Sequence, residues 1–357
     1  METFPKSRRA WGLALALAAL TATPAAAQTP ASPAPKGLQP DVAFSVYPVA
    51  SDTAVIIKRL LSPLAADAMT KKLADTGRVL PKQAIDLKDE RFTVYVPKVE
   101  PAKGYGLLVF VPPWREAYAP KGWTEVLDQA GVIFVTAARS GNDANVIDRR
   151  EPLALIAWAN VASRYTLDPQ RVWVGGFSGG SRVVLRLALA YPDVFAGALM
   201  NAGADPIGRG DGPPPPARSL FDRFQSQSHL VYVTGAEDPN HIRMDADSLA
   251  SMRDWCIQGV EQQIVPNKTH DEASPLALAK ALAALDRPPP RDAGRLEACR
   301  AKYEQEMAQM LARAAALKTA GKDAEAYRLL VQTDRRFGGL AAPQSLDLAA
   351  KARPAGG

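Results

Sequence analysis

Apolar residues are grouped along this chain in two ways. From Glu90 onward, short runs built on Val, Ile, Leu and Phe recur: RFTVYVP, GLLVFVP, GVIFVTA, RVWVGG, AGALMNA, HLVYVTG and EQQIVP. Several are apolar at consecutive rather than alternate positions, as strands covered on both faces require. Between them the apolar residues fall at three- and four-residue steps, which predicts helices over 151–164, 179–191, 243–257 and 274–286. Strand and helix in alternation predict an α/β fold with a mostly parallel central sheet flanked by helices. Upstream, TAVIIKRLLSPLAADAMTKKLAD reads as helical and broken at Pro63.

The pattern changes at both ends. Lys6, Arg8 and Arg9 precede the apolar AWGLALALAAL, and PAAAQ supplies a small-residue cleavage site after Ala27. Residues 1–27 therefore read as a signal peptide, with no stable membrane span once it is removed. The Arg pair in SRRAW is also compatible with twin-arginine export. QTPASPAPKGLQP, residues 28–40, reads as a Pro/Ala-rich linker. The main domain is expected over 41–290 and ends at DRPPPRD. Beyond it Leu296, Cys299, Tyr303, Met307, Met310, Ala314 and Leu317 form one helical stripe. After the turn TAGKD a second helix is expected, so 291–357 reads as a helical extension built on a hairpin that braces the main domain.

Composition narrows the function. With 47% hydrophobic and 22% charged residues, the chain has the make-up of a globular enzyme or binding protein. The formal charge of +6 is scattered, without basic runs interleaved with aromatics, and this argues against nucleic acid as a partner. Arg149 and Arg150 read as solvated surface charge, with contact to an acidic substrate as the alternative. Two cysteines and three histidines are too widely spread to suggest a metal site. In an exported chain two cysteines can pair, and a Cys256–Cys299 disulfide would pin the tail to the domain.

The chemistry concentrates in RVWVGGFSGGSRVV, where Gly176-Phe177-Ser178-Gly179-Gly180 joins a strand to a helix. Such a turn lifts the serine oxygen clear of the sheet, and glycine at 176 and 180 removes the Cβ atoms that would collide with the flanking backbone. A serine hydroxyl needs a base to act as a nucleophile. His270 follows the last strand, and His229 opens a strand with no acid placed after it. His241 shares a short loop with the best acid, so a surface or loop-stabilising role is expected for it. Asp238, just past a strand end, is the expected orienter of His270; Glu237 is the alternative acid, and Asp271 is too near His270 in sequence. The backbone N–H groups of Gly179 and Trp114 are the expected oxyanion donors, since Pro112 and Pro113 have none to give. The irregular ADPIGRGDGPPPPARSLFDRF reads as a rim or lid.

Residues 90–286 resemble the α/β-hydrolase fold, whose triads run Ser, Asp, His in chain order, as do Ser178, Asp238 and His270 here. YTLDPQRVWVGGFSGGSRVVLRLALAYPDVFAGALMNAGA is similar to secreted esterases of the polyhydroxybutyrate depolymerase and feruloyl esterase type, through Asp168, Arg171, Ser178, Asp193, Phe195 and the late His270. The His-Gly usual after the third strand is PPW here, and the helical tail lies outside that pattern. The resemblance implies a serine hydrolase acting on small-molecule or oligomeric esters through an acyl-enzyme, without a cofactor. A secreted peptidase on the same fold and a non-catalytic envelope binding protein are the alternatives. A periplasmic or secreted location follows from the signal peptide.

Overall fold

The computed structural model describes residues 35–77 and 82–352. The expected signal peptide, and the linker up to residue 34, lie outside them. The rest of the linker is not irregular throughout. Gly37–Val42 forms strand β1, antiparallel to β2 (Phe92–Val96). Between the two, α1 (Thr53–Leu60) and α2 (Pro63–Asp75) meet at the break set by Pro63, which occupies the first position of α2.

From β2 onward strands and helices alternate. In order come β3 (Tyr105–Val111), α3 (Trp123–Ala130), β4 (Val132–Ala137), α4 (Glu151–Ala162), β5 (Leu167–Phe177) and α5 (Gly179–Ala190). They are followed by β6 (Gly197–Asn201), α6 (Arg218–Gln227), β7 (His229–Gly235), α7 (Pro239–Asp254), β8 (Val260–Val265) and α8 (Pro275–Leu285). Among the described residues the sheet has eight strands, in the order β1-β2-β4-β3-β5-β6-β7-β8. From β4 through β8 every pairing is parallel.

Successive residues of one strand enter opposite cores. Leu107, Val109 and Val111 of β3 join a cluster with Leu153, Ile156, Val183 and Leu187 of α4 and α5. Leu108 and Phe110 join the other cluster, with Trp123 and Leu127 of α3 and Leu278 and Leu282 of α8. Both faces are thus covered, which explains the unbroken apolar runs. The register sets Phe177 beside Asn201, Asn201 beside Val233, and Gly235 beside Val265, so the carboxyl ends of β5 to β8 share one edge.

The lid reading of 204–224 does not hold. Its second half is α6, whose Phe221, Phe224 and Gln225 form a buried stripe. The proline run Pro213–Pro216 hides the helix because it ends just before it. The first half is tied to α7 and the tail: Trp255 Nε1–H donates to Ile207 O at 3.0 Å, and Gly339 N–H to Pro215 O at 2.9 Å.

The tail holds α9 (Ala293–Thr319), α10 (Asp323–Phe337) and a further helix, α11 (Gln344–Ala352), one more than the expected hairpin. The α9 stripe docks as its spacing requires, with Tyr303, Leu311 and Ala314 buried. Tyr303 and Phe337 pack on Trp255 at centroid distances of 5.1 and 5.8 Å. Cys256 and Cys299 form a disulfide between the end of α7 and α9. No helix of the described residues is long and apolar enough to cross a membrane.

Candidate active site

The turn at the end of β5 is as tight as its glycines suggest. A Cβ on Gly176 would lie 2.8 Å from Val111 O, and one on Gly180 would overlap the same oxygen. With both absent, β3 and the start of α5 close around Ser178, which sits at φ 54°, ψ −121°. A side-chain-bearing residue takes such a conformation only where its surroundings hold it there. Here Ser178 N–H donates to Asn201 O at 2.8 Å, and Ser178 O accepts from Ser181 N–H at 3.0 Å.

Three side chains from separate loops meet at this turn. His270 Nε2 is 2.9 Å from Ser178 Oγ, and His270 Nδ1 is 2.7 Å from Asp238 Oδ2. An ionised carboxylate can only accept, so Nδ1 carries the proton and Nε2 is left to accept from the serine hydroxyl. Gly235 makes this approach possible: a Cβ there would overlap the carbonyl oxygens of Lys268 and Thr269, which cross the end of β7. Glu237 is exposed and donates its N–H to Lys268 O at 2.8 Å; its carboxylate bonds neither imidazole. His229 lies at the opposite, amino end of β7, 3.3 Å from Glu261 Oε1.

A tight serine-bearing turn after β5, with an acid after β7 and a histidine after β8 of this sheet, decides the architecture. The fold is that of the α/β-hydrolases. In such folds a ligand meets the sheet at the carboxyl ends of its strands, where these three residues stand.

His241 does more than the expected surface or loop-stabilising role. Its Nδ1–H donates to Asp238 Oδ1 at 2.8 Å, and its ring stacks on His270 with centroids 4.0 Å apart. Asp238 thus accepts from two imidazoles and from the His241 backbone N–H. Burial alone would push its carboxyl up, but these hydrogen bonds outweigh it and hold its pKa below the ordinary value. Asp238, His241 and His270 also offer three ligand atoms within 4.8 Å. The stacked rings, 19° apart, direct both Nδ1 atoms side by side onto the carboxylate, whereas a tetrahedral metal site needs them converging on one point.

The two expected oxyanion donors stand on separate segments of the chain. Gly179 is the first residue of α5, where N–H groups have no partner within the helix. Trp114 N–H donates to no acceptor among the described residues. The Trp114 indole stacks on Tyr118 at 5.0 Å and lies 6.2 Å from Phe177, which is itself 4.9 Å from His270, so one wall of the site is aromatic.

Two residues of the site carry no motif in the sequence. Arg150, read as solvated charge, is 4% exposed. Its guanidinium donates to Ser140 O at 2.9 Å, Pro112 O at 2.8 Å and Gly179 O at 3.3 Å, joining the loops that carry Trp114 and Ser178. Burial, reinforced by nearby Arg182, pulls its pKa down to about 10. Arg149 is not solvated either: it forms a two-pronged pair with Glu90 at 2.9 and 3.1 Å. Asn201, at the end of β6, links the serine turn to the histidine loop. Its backbone oxygen accepts from Ser178, its side-chain oxygen from Ala273 N–H at 2.6 Å, and its amide donates to Val233 O at 2.9 Å. A polar residue closing a strand covered on both faces is the one sequence signal that marks it.

No protein-family model matches the chain. Over 98 residues it is 32% identical to a poly(3-hydroxybutyrate) depolymerase of Ralstonia pickettii, a match covering 24% of this chain and 20% of that protein. Over 77 residues it is 38% identical to poly(3-hydroxyalkanoate) depolymerase C of Paucimonas lemoignei, covering 22% and 17%. The chain therefore matches a fifth or less of the length of these curated relatives. Among solved α/β-hydrolase structures it is similar to S-formylglutathione hydrolase (FrmB) from Staphylococcus aureus, at 13% identity and a TM-score of 0.44, over 55% of this chain and 92% of that one. It is also similar to an acetyl xylan esterase from Aspergillus awamori, at 15% identity and a TM-score of 0.42, over 55% and 94%.

Proposed function

We propose that this chain is an exported serine hydrolase that cleaves carboxylic esters through Ser178, His270 and Asp238. The observation that carries the reading is the pair of contacts of one imidazole, 2.9 Å to Ser178 Oγ and 2.7 Å to Asp238, at a serine held in a strained turn. His270 takes the hydroxyl proton as Oγ attacks the ester carbonyl. The charge that develops on the carbonyl oxygen is met by the N–H groups of Gly179 and Trp114. His270 then protonates the departing alcohol, leaving an acyl group on Ser178. A water, deprotonated by His270 in its turn, releases the acid. Asp238 stays ionised throughout and balances the imidazolium, and its lowered pKa suits that part.

The partial likeness to two polyester depolymerases supports an ester substrate, as a small molecule or an oligomer. The disulfide and the leader-like first 27 residues support an oxidising compartment outside the cytoplasm. The test uses a fluorophosphonate probe, followed by a panel of nitrophenyl esters and aminoacyl anilides. Labelling of Ser178 with ester turnover is the expected result. Preference for anilides would make the chain a peptidase, and an unlabelled Ser178 would make it a binding protein.

A further inference from the structure

A cavity of about 520 Å³ is lined in part by Gly179, the residue after Ser178, and by no residue of the aromatic wall. Three guanidinium groups reach it, from Arg150, Arg182 and Arg186. Their partners differ. Arg186 bonds Glu151 at 2.9 Å. Arg150 is buried, and its hydrogen bonds go to carbonyl oxygens, not to a carboxylate. Arg182, four residues after Ser178 and so one helical turn along α5, is exposed and has neither an ion pair nor a hydrogen bond among the described residues.

The acids around the cavity offset this charge only in part, with three guanidinium groups facing two carboxylates, Asp205 and Glu151. Asp205 is the one carboxylate in its lining. Burial pushes its pKa up against the pull of Arg182 and Arg186, and pushes that of Glu151, fully buried beside Arg186, to about 7. Asp143 is paired with Arg115 at 3.4 Å. Asn142, whose amide lies against the Gly179 backbone, and Asn145 add neutral hydrogen-bonding groups to the lining. The wall next to Ser178 thus carries excess positive charge and, in Arg182, a planar fork of N–H donors that no side chain or backbone carbonyl among the described residues engages.

We propose that this cavity holds a carboxylate of the substrate, with Arg182 as its partner, so that the preferred esters are anionic. The inference rests on the ester-hydrolase reading and specifies its substrate class. An anion here gains a partner that does not have to be freed from another carboxylate, whereas a neutral group of the same shape leaves the charge of the wall unmatched.

Two matched pairs of esters test it. 4-Nitrophenyl hemiadipate against 4-nitrophenyl hexanoate places the charge on the acyl side, and 4-acetoxybenzoate against 4-acetoxybenzamide places it on the alcohol side. In one pair the anion should have a kcat/KM about fivefold higher, the size of effect an exposed ion pair supports. The ratio should fall to about one in Arg182→Gln, invert in Arg182→Glu and shrink in high salt. Equal rates within both pairs, or a preference that survives Arg182→Gln, would overturn the proposal while leaving ester hydrolysis intact. No turnover of any ester, with Ser178 inert to fluorophosphonate, would overturn the ester-hydrolase reading and this inference with it.

Discussion

The carboxyl edge of the sheet and the C-terminal helices are held in place by different physics. At the edge, positions are set by single hydrogen bonds between groups distant in sequence: Ser178 to Asn201, His270 to Asp238, Arg150 to three carbonyls. In the tail, positions are set mainly by a contact set with many members, such as Leu311, Ala314, Ala326, Leu330 and Ala349, by one covalent bond, and by scattered hydrogen bonds such as Gly339 to Pro215. Loss of one tail contact is shared among its neighbours, but each bond at the edge has no substitute. Activity and stability should therefore be separable by region.

The sharpest break is at the edge. Ser178→Ala and His270→Ala should each lower kcat by on the order of 10⁴-fold, with the double variant little worse, because the pair acts as a unit. Their melting temperatures should stay near that of the parent. A large loss of stability in either would mean that the edge also bears structural load.

The complementary test is in the tail. Replacing both Cys256 and Cys299 by Ser removes the closure of a 43-residue interval. The chain-entropy estimate for that ring is about 4 kcal/mol, to be read from urea unfolding. The kcat under native conditions should be unchanged. If it falls, the tail reaches the site and the separation is incomplete.

Arg150 makes the comparison finer, because it is buried like a structural residue yet bonds only active-edge carbonyls. Arg150→Gln should lower kcat by about 10²-fold, the cost of a mispositioned oxyanion donor, with KM changed little. Arg150→Lys, which keeps charge but not the fork, should lose less. Equal losses in kcat and stability in both variants would return Arg150 to a purely structural role.

The smallest effect concerns pH. Asp245, fully buried on α7, has its carboxyl pushed up to about 6 by burial, against hydrogen bonds from Thr234 and Ala204 that lower it. The native state therefore keeps a proton, between roughly pH 4 and 6, that the unfolded chain has released. Its contribution is fully present below pH 4 and is lost as pH rises through 6, a change of at most about 3 kcal/mol. Asp245→Asn should flatten that part of the stability profile. An unaltered slope would show that Asp245 is ionised when folded.

The sequence exposed those features that depend on local geometry. The glycines around Ser178 announce a turn in which no Cβ fits, and runs such as LLVFV announce strands covered on both faces. The α9 stripe and the break at Pro63 follow from periodicity and proline chemistry. The features that stayed hidden depend on partners far along the chain. Arg150 reaches Pro112, 38 positions away, and nothing in DRREP distinguishes it from a solvated arginine. His241 reaches beyond its own loop because Asp238 presents one oxygen to each imidazole, a sharing that its place in AEDPNHIR does not announce. Helix α6 was concealed by the prolines ahead of it, though its buried Phe221 and Phe224 already had helical spacing.

The disulfide has a consequence for the covalent layout of the site. Cys256 precedes His270 and Cys299 follows it, so the exposed histidine loop is a segment of a closed ring. A protease that cuts this loop opens the ring without producing two separate molecules. The fragment bearing Ser178 and Asp238 stays joined to the fragment bearing α8 and the tail until a reductant arrives. On a gel, nicked protein should run as one band without thiol and as two with it.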